Sequence, residues 1–178
     1  PLFWSGTPLI HYGFNLEASW KNFDIYALLQ GAGMYTVQFS EVYAEVLWSK
    51  GANTPAYFYD RWRKEDPYNP NSKWVAGKWP ATRLIQDTGA MYKESNIWRR
   101  DASYLRLKTL ELGYTLPDSI LRKSGISNIR FYINGYNLLT FCDSFVKAFD
   151  PEKVEGSYSA GMNYPLTKSF NIGFTANF

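Results

Sequence analysis

Five stretches of the chain alternate between apolar and polar residues with a period of two, which predicts β-strands with two unlike faces. Near the C-terminus Phe170, Ile172 and Phe174 fall on one face, while Asn171 and Thr175 fall on the other. A bulky apolar face suits lipid and a polar face suits a water-filled lumen, so the pattern indicates a transmembrane β-barrel. The predicted strands lie near residues 11–20, 23–30, 102–116, 128–141 and 167–178.

The third predicted strand contains a change of phase. Leu105 and Leu107 occupy odd positions, whereas Leu110 and Leu112 occupy even positions. A shift by one residue requires either a β-bulge near Lys108 or a strand that leaves the membrane there.

The connections alternate between short and long. Residues 21–22 predict a tight turn and 117–124 a short helical turn, whereas 31–101 and 142–165 are long. Outer-membrane barrels have short periplasmic turns and long extracellular loops, so the long connections are assigned to the outside. Helical spacing predicts a short helix over 40–50 in the first long loop. Because such barrels need about eight strands to close, we expect the C-terminal portion of a longer transporter, or one piece of a split one, and no complete independent domain in 1–178.

Composition agrees with an all-β membrane protein. Aromatic residues make up 19% of the chain, and barrels place such residues in girdles at both membrane interfaces. A mean hydropathy of -0.34 and the lack of any run of about 18 apolar residues argue against helical spans. The net charge of +3 gives no basic footprint for nucleic acid. Cys142 is the only cysteine, so no disulfide can close within the chain.

Several motifs occur in a fixed order. YLRLKTLELGYTLP and GISNIR are followed by NLLTF, by DPE at 150–152 and by a final strand that ends in Phe178. With the hairpin over 12–31 and WRRDASYLR, they resemble the C-terminal region of the SusC/RagA-type TonB-dependent outer-membrane transporters of Bacteroidetes. The resemblance covers nearly the whole chain. The plug and the TonB-contacting segment of that family have no counterpart within these 178 residues.

The resemblance implies a fold, a location and partners. The fold would be a barrel of about 22 strands with a plugged lumen in the bacterial outer membrane. A SusD-like surface lipoprotein would act as an extracellular lid, and TonB would drive import of glycans, or of oligopeptides in some members. Phe178 would serve as a signal for barrel assembly.

The loop over 57–80 gathers aromatic residues among Asp, Asn, Arg and Lys. Sugar rings stack on aromatic faces while polar neighbours bond hydroxyl groups, so this loop is a candidate contact for cargo or lid. Self-packing is the favoured alternative, because a long loop needs its own core. A single-stranded nucleic-acid groove is disfavoured by the interleaved acidic residues. The candidates are Tyr57, Tyr59, Trp62, Tyr68, Trp74 and Trp79.

We expect no enzyme, no metal site and no cofactor. His11 is the only histidine, and a metal site would need partners that this chain does not supply. Asp150 and Glu152 are favoured as loop residues over a catalytic carboxylate pair, and Cys142 has no nearby nucleophile signature. The alternative to a barrel segment is a soluble all-β carbohydrate-binding module, whose two sheets would bury the aromatic faces. The direction in which those faces point distinguishes the two.

Overall fold

The computed structural model describes residues 6–39, 54–81, 95–122, 125–153 and 163–178. This part of the chain is mainly antiparallel strand, with two short α-helices and 3-10 turns at Ala56–Asp60 and Pro151–Lys153. In chain order the elements are β1 (Ile10–Trp20), β2 (Phe23–Gly33), β3 (Thr36–Gln38), β4 (Arg63–Lys64), β5 (Trp74–Val75), β6 (Arg99–Asp101), β7 (Tyr104–Thr115), α1 (Asp118–Leu121), β8 (Asn128–Phe141), α2 (Ser144–Lys147) and β9 (Ser169–Asn177).

The five long strands form one antiparallel sheet in the order β1-β2-β7-β8-β9. Each long strand pairs with the next long strand along the chain, which is the up-and-down order of a barrel wall. Lys21 turns the chain between β1 and β2 with a left-handed φ of 54°. The Asn22 side chain donates a hydrogen bond of 2.8 Å to the Thr115 carbonyl and ties this turn to β7. The predicted all-β fold is confirmed as an open segment of barrel wall.

One face of this sheet is apolar and exposed. Phe131 lies opposite Phe174 with ring centroids 6.1 Å apart, and Ile172 is 87% exposed. Within the described ranges no second sheet covers this face, as a soluble carbohydrate-binding sandwich would require. The aromatic side chains therefore point outward, where lipid lies around a barrel.

The change of phase in the third strand is an irregularity within β7. The register against β8 shifts between Leu107 and Thr109, and the register against β2 shifts at the same level, between Leu28 and Leu29. The strand continues to Thr115, so the bulge is the alternative that occurs. It returns the leucines on both sides of the shift to the apolar face.

β2 continues past the predicted end at residue 30 as far as Gly33. Gly31 pairs with Tyr12 on β1 and with Leu105 on β7. A Cβ at position 31 would collide with the Tyr12 ring and with the Tyr104 carbonyl. Glycine weakens a strand signal in the sequence, but here the close packing of the neighbouring strand requires it.

The buried core lies mainly in the long connections, and it includes Ala32 and Tyr104 at the ends of β2 and β7. β3 pairs with β6, and Phe39, Trp98 and Val146 are almost fully buried. Phe145, from α2, packs against both buried clusters and joins the two long connections. We call this set the loop core: Ala32, Tyr35, Val37, Phe39, Phe58, Trp79, Trp98, Ala102, Tyr104 and Val146.

The helical elements are short. α1 lies within the helical turn predicted after Pro117, whereas the helix predicted over 40–50 lies outside the described residues. Among the described residues, no helix is both long enough and apolar enough to cross a membrane.

Candidate functional site

The polar face of the sheet carries a continuous set of charged and amide side chains, which we call the polar-face network: Asp24, Glu111, Arg130, Asn134 and Asn171. Arg130 donates to Asp24 through Nε at 3.0 Å and to Glu111 through Nη2 at 2.7 Å. Asn134 donates to Glu111 at 3.1 Å, and Asn171 donates to Asn134 at 2.9 Å. The network spans β2, β7, β8 and β9, and its ionic groups lie near the short-turn end of the sheet.

Gly113 makes the central ion pair possible. Asp24 is on β2 and Arg130 is on β8, so their contact crosses the intervening strand β7. Gly113 lies directly opposite Asp24, and a Cβ there would collide with both charged groups. The missing side chain therefore leaves the space in which a carboxylate and a guanidinium meet over the backbone of β7.

A second ionic cluster, the loop latch, consists of Arg106, Lys108, Asp150 and Glu152. Arg106 is 3% exposed and donates to Asp150 at 2.6 Å, to Glu152 at 2.7 Å and to the Thr140 hydroxyl at 2.9 Å. Lys108 donates to Glu152 at 2.6 Å. The latch holds the DPE element of the second long connection against the polar face of β7 and β8.

Asp150 is the centre of the latch. Burial opposes its ionisation, but the hydrogen bond from Arg106 and the backbone N–H groups of Leu166 and Glu152 outweigh burial, so the pKa of Asp150 lies below its ordinary value. The neighbouring Tyr35 hydroxyl donates to the Pro151 carbonyl at 2.8 Å. Burial raises the pKa of Tyr35, so this phenol remains a donor. The interpretation of DPE as loop structure accords with these contacts.

Two of the six candidate loop aromatics, Trp79 and Tyr57, pack in or against the loop core. Trp79 is 4% exposed and stacks on Trp98 with ring centroids 5.3 Å apart. Tyr57 is half-buried, with its ring centroid 4.7 Å from that of Trp79 and 5.4 Å from that of Phe145. These two residues hold the loop together and offer little surface to a partner.

The other four candidates are exposed, and we call them the exposed aromatic set: Tyr59, Trp62, Tyr68 and Trp74. Tyr68 is 94% exposed in the turn between β4 and β5, and Trp74 lies on β5. The Lys64 ammonium group lies 4.7 Å from the Trp74 ring centroid and also donates to the Ser72 carbonyl at 2.7 Å. The hairpin is thus internally bonded while its aromatic faces remain accessible.

Sequence reasoning missed the basic half of the loop latch and several members of the loop core. Arg106 and Lys108 belong to the RLK of the central motif, and Arg106 falls on the polar face of β7. The available signal for an ion pair was a cation on the polar face of a strand together with the acidic DPE element farther along the chain. Phe58 and Trp98, like Phe145 that packs against them, carry no periodic signal, because their contacts join distant segments.

Among the described residues, Phe178, His11 and Cys142 do not lie together as a site, although Cys142 packs against the loop core. Phe178 follows β9 and is 90% exposed. His11 is exposed on β1, and burial raises the pKa of the Cys142 thiol, which disfavours the thiolate. Among the described residues, no three potential ligands of the His, Cys, Asp and Glu types come together as a metal site would require.

Similar proteins are found by sequence. No protein-family model matches the chain. TonB-dependent receptor P3 of Formosa agariphila is 32% identical over 183 residues, covering 97% of this chain and 16% of that receptor. TonB-dependent receptor P26 of the same bacterium is 29% identical over 189 residues, covering 97% of this chain and 17% of that receptor. The chain thus spans about one sixth of the length of these curated relatives.

Similar proteins are also found by structure. The RagAB peptide importer in its open-open state matches with a TM-score of 0.69 and 27% identity, over 98% of this chain and 18% of the matched chain. The closed-closed state of the same importer matches with a TM-score of 0.67 and 27% identity, over 96% and 17%. The sheet and the described parts of its long connections therefore correspond to one part of a much larger transporter chain.

Proposed function

Because this chain belongs to the SusC/RagA-type TonB-dependent outer-membrane transporters and matches the C-terminal part of their barrel, we propose that it forms five strands and two extracellular loops of a nutrient importer. The likeness of nearly the whole chain to the RagAB importer carries the proposal. The apolar outward face and the polar-face network support it, since a barrel wall separates lipid from a wet lumen. The remainder of the barrel would pair with the outer edges of β1 and β9.

The cargo would be a glycan or an oligopeptide. The exposed aromatic set supports a glycan, because aromatic faces beside polar groups suit sugar rings. The likeness to a peptide importer supports an oligopeptide. Neither cargo requires chemistry on the substrate, and the role proposed is transport without catalysis.

A SusD-like surface lipoprotein would be the extracellular partner. Long loops lie on the extracellular side of such barrels, where a lid and its cargo would approach. Trp and Tyr carry much of the binding energy of protein interfaces, so the exposed aromatic set is the surface proposed for this contact. TonB would energise import through a part of the transporter outside these residues.

The test is uptake and lid binding by the full-length transporter, expressed from its own locus. Replacing Trp62 and Trp74 together with Ala should lower uptake of a labelled glycan or oligopeptide, or lower recovery of the lipoprotein in a pull-down. Barrel insertion should stay normal, because both side chains are exposed.

Two further variants control this experiment. Tyr164→Ala removes an exposed aromatic residue that lies outside the set and should leave uptake and pull-down unchanged. Trp79→Ala removes part of the loop core and should disturb the loop itself. Normal uptake and normal pull-down in the Trp62/Trp74 variant would show that the loop packs against itself and contacts neither the cargo nor the lipoprotein.

A further inference from the structure

The outward, apolar face of the sheet contains a groove at its short-turn end. The groove has a volume of about 470 Å³. Trp20 and Phe23, which flank the β1–β2 turn, contribute to its lining. Residues from β7, β8 and β9 complete it, so the groove crosses all five strands of the barrel wall.

The strand register builds this groove from two rows of side chains. Trp20, Phe23 and Tyr114 belong to the row nearest the turn. Ala18 and Ile25 begin the next row, which continues across the remaining strands. Ala18 has the smallest side chain of the two rows and lies beside Trp20, which has the largest. The outward side chains that line the groove are all uncharged.

A cation, Lys21, lies at the rim of the groove. Lys21 occupies the turn between β1 and β2, and its ammonium group lies 4.5 Å from the Trp20 ring centroid. The turn belongs to the short connections, which lie on the periplasmic side of outer-membrane barrels. Tryptophan and lysine at this level are characteristic of the headgroup region of a bilayer.

We propose that this groove binds an acyl chain of an anionic glycerophospholipid from the periplasmic leaflet, with Lys21 contacting the headgroup phosphate. The proposal rests on the proposed function for the membrane orientation of the sheet. Charge complementarity favours this occupant over a second copy of the chain. A two-fold contact between two copies of this face would bring Lys21 toward the same uncharged side chains and would supply no anion.

The experiment measures the lipid retained by the full-length transporter. The protein is purified in detergent and incubated with phosphatidylglycerol or with phosphatidylcholine of identical acyl chains, and bound lipid is counted by native mass spectrometry. Wild-type protein should retain phosphatidylglycerol in preference to phosphatidylcholine. Lys21→Gln should lower retention of phosphatidylglycerol about fivefold, which corresponds to one lysine near an anionic lipid surface.

Matched variants separate charge from shape. Lys168→Gln removes a lysine from the loop side and should change nothing, whereas Lys21→Arg should keep the preference. Ala18→Phe fills the groove and should lower retention of both lipids, whereas Leu16→Phe adds bulk on the same strand outside the groove and should not.

Three outcomes would overturn the proposal. These are equal retention of the two lipids by wild-type protein, an unchanged count in Lys21→Gln, and a change of oligomeric state rather than lipid count in Ala18→Phe. A band shift on heating confirms that each variant is folded. Uptake is measured in parallel, because a wild-type protein that binds the lipid but imports neither glycan nor oligopeptide would refute the proposed function alone.

Discussion

Removing Arg106 should release the second long connection from the barrel wall. The Arg106 side chain is 3% exposed, and the side chain of its partner Asp150 is 4% exposed. Arg106→Met keeps an unbranched, flexible stem but removes the guanidinium group and leaves a buried carboxylate without its cation. Breaking a buried pair from one side costs about 3–5 kcal/mol. At the lower limit, the open state of the loop becomes roughly a hundredfold more populated.

Lys108→Met is the matched control. Lys108 binds the same Glu152, but both side chains of this pair are about one quarter exposed. Partly exposed pairs contribute about 0–1 kcal/mol, so the open population should rise about fivefold or less.

Hydrogen exchange of the full-length transporter provides the measurement. Peptides covering 143–153 should exchange roughly a hundredfold faster in Arg106→Met, while peptides from β8 should keep their wild-type rates. Equal protection of the loop in the Arg106→Met and Lys108→Met variants would refute the argument that burial makes the Arg106 pair the stronger one.

Three other predictions concern Asp150, Gly113 and Phe178. The pKa of Asp150 is lower in the folded protein than in the unfolded chain. The ionised carboxylate therefore stabilises the folded state at pH 7, and this stabilisation is lost as pH falls below about 4 through the folded pKa. The difference in Tm between wild type and Asp150→Asn should accordingly shrink between pH 7 and pH 3. Gly113→Ala should lower the folded fraction on a heat-modifiability gel, because the new Cβ meets the Arg130 ion pair, whereas Gly13→Ala has only ordinary contact and should fold normally. Deleting Phe178 should lower the amount of folded barrel in the outer membrane without changing uptake per folded molecule, and wild-type folded levels would contradict a role in assembly.

The strands and their faces could be predicted from the sequence because a strand with an apolar environment on one side and a polar environment on the other alternates between apolar and polar residues. The change of phase between Leu107 and Leu110 also predicted where the irregularity in β7 lies. The sequence did not predict Gly31 as strand, because that position depends on the Tyr12 ring packing from a neighbouring strand.

The loops were less predictable than the sheet. The sequence identifies the aromatic residues of 57–80 as a group. Their division into buried and exposed members depends on Phe145, which belongs to a distant segment of the chain. The loop latch has the same origin, since Arg106 and Asp150 are 44 residues apart. Contacts of this kind leave no local period in the chain.

The ion pair between Asp24 and Arg130 makes the sheet sensitive to errors of assembly. The contact needs β2, β7 and β8 to be aligned at once, since it passes over Gly113. A slip of one residue at either strand interface would carry one charged partner to the lipid side and break the contact between Asp24 and Arg130. A misaligned sheet therefore loses this ion pair and exposes a charge to lipid, so the pair acts as a proofreading contact that only the correct alignment of three strands satisfies.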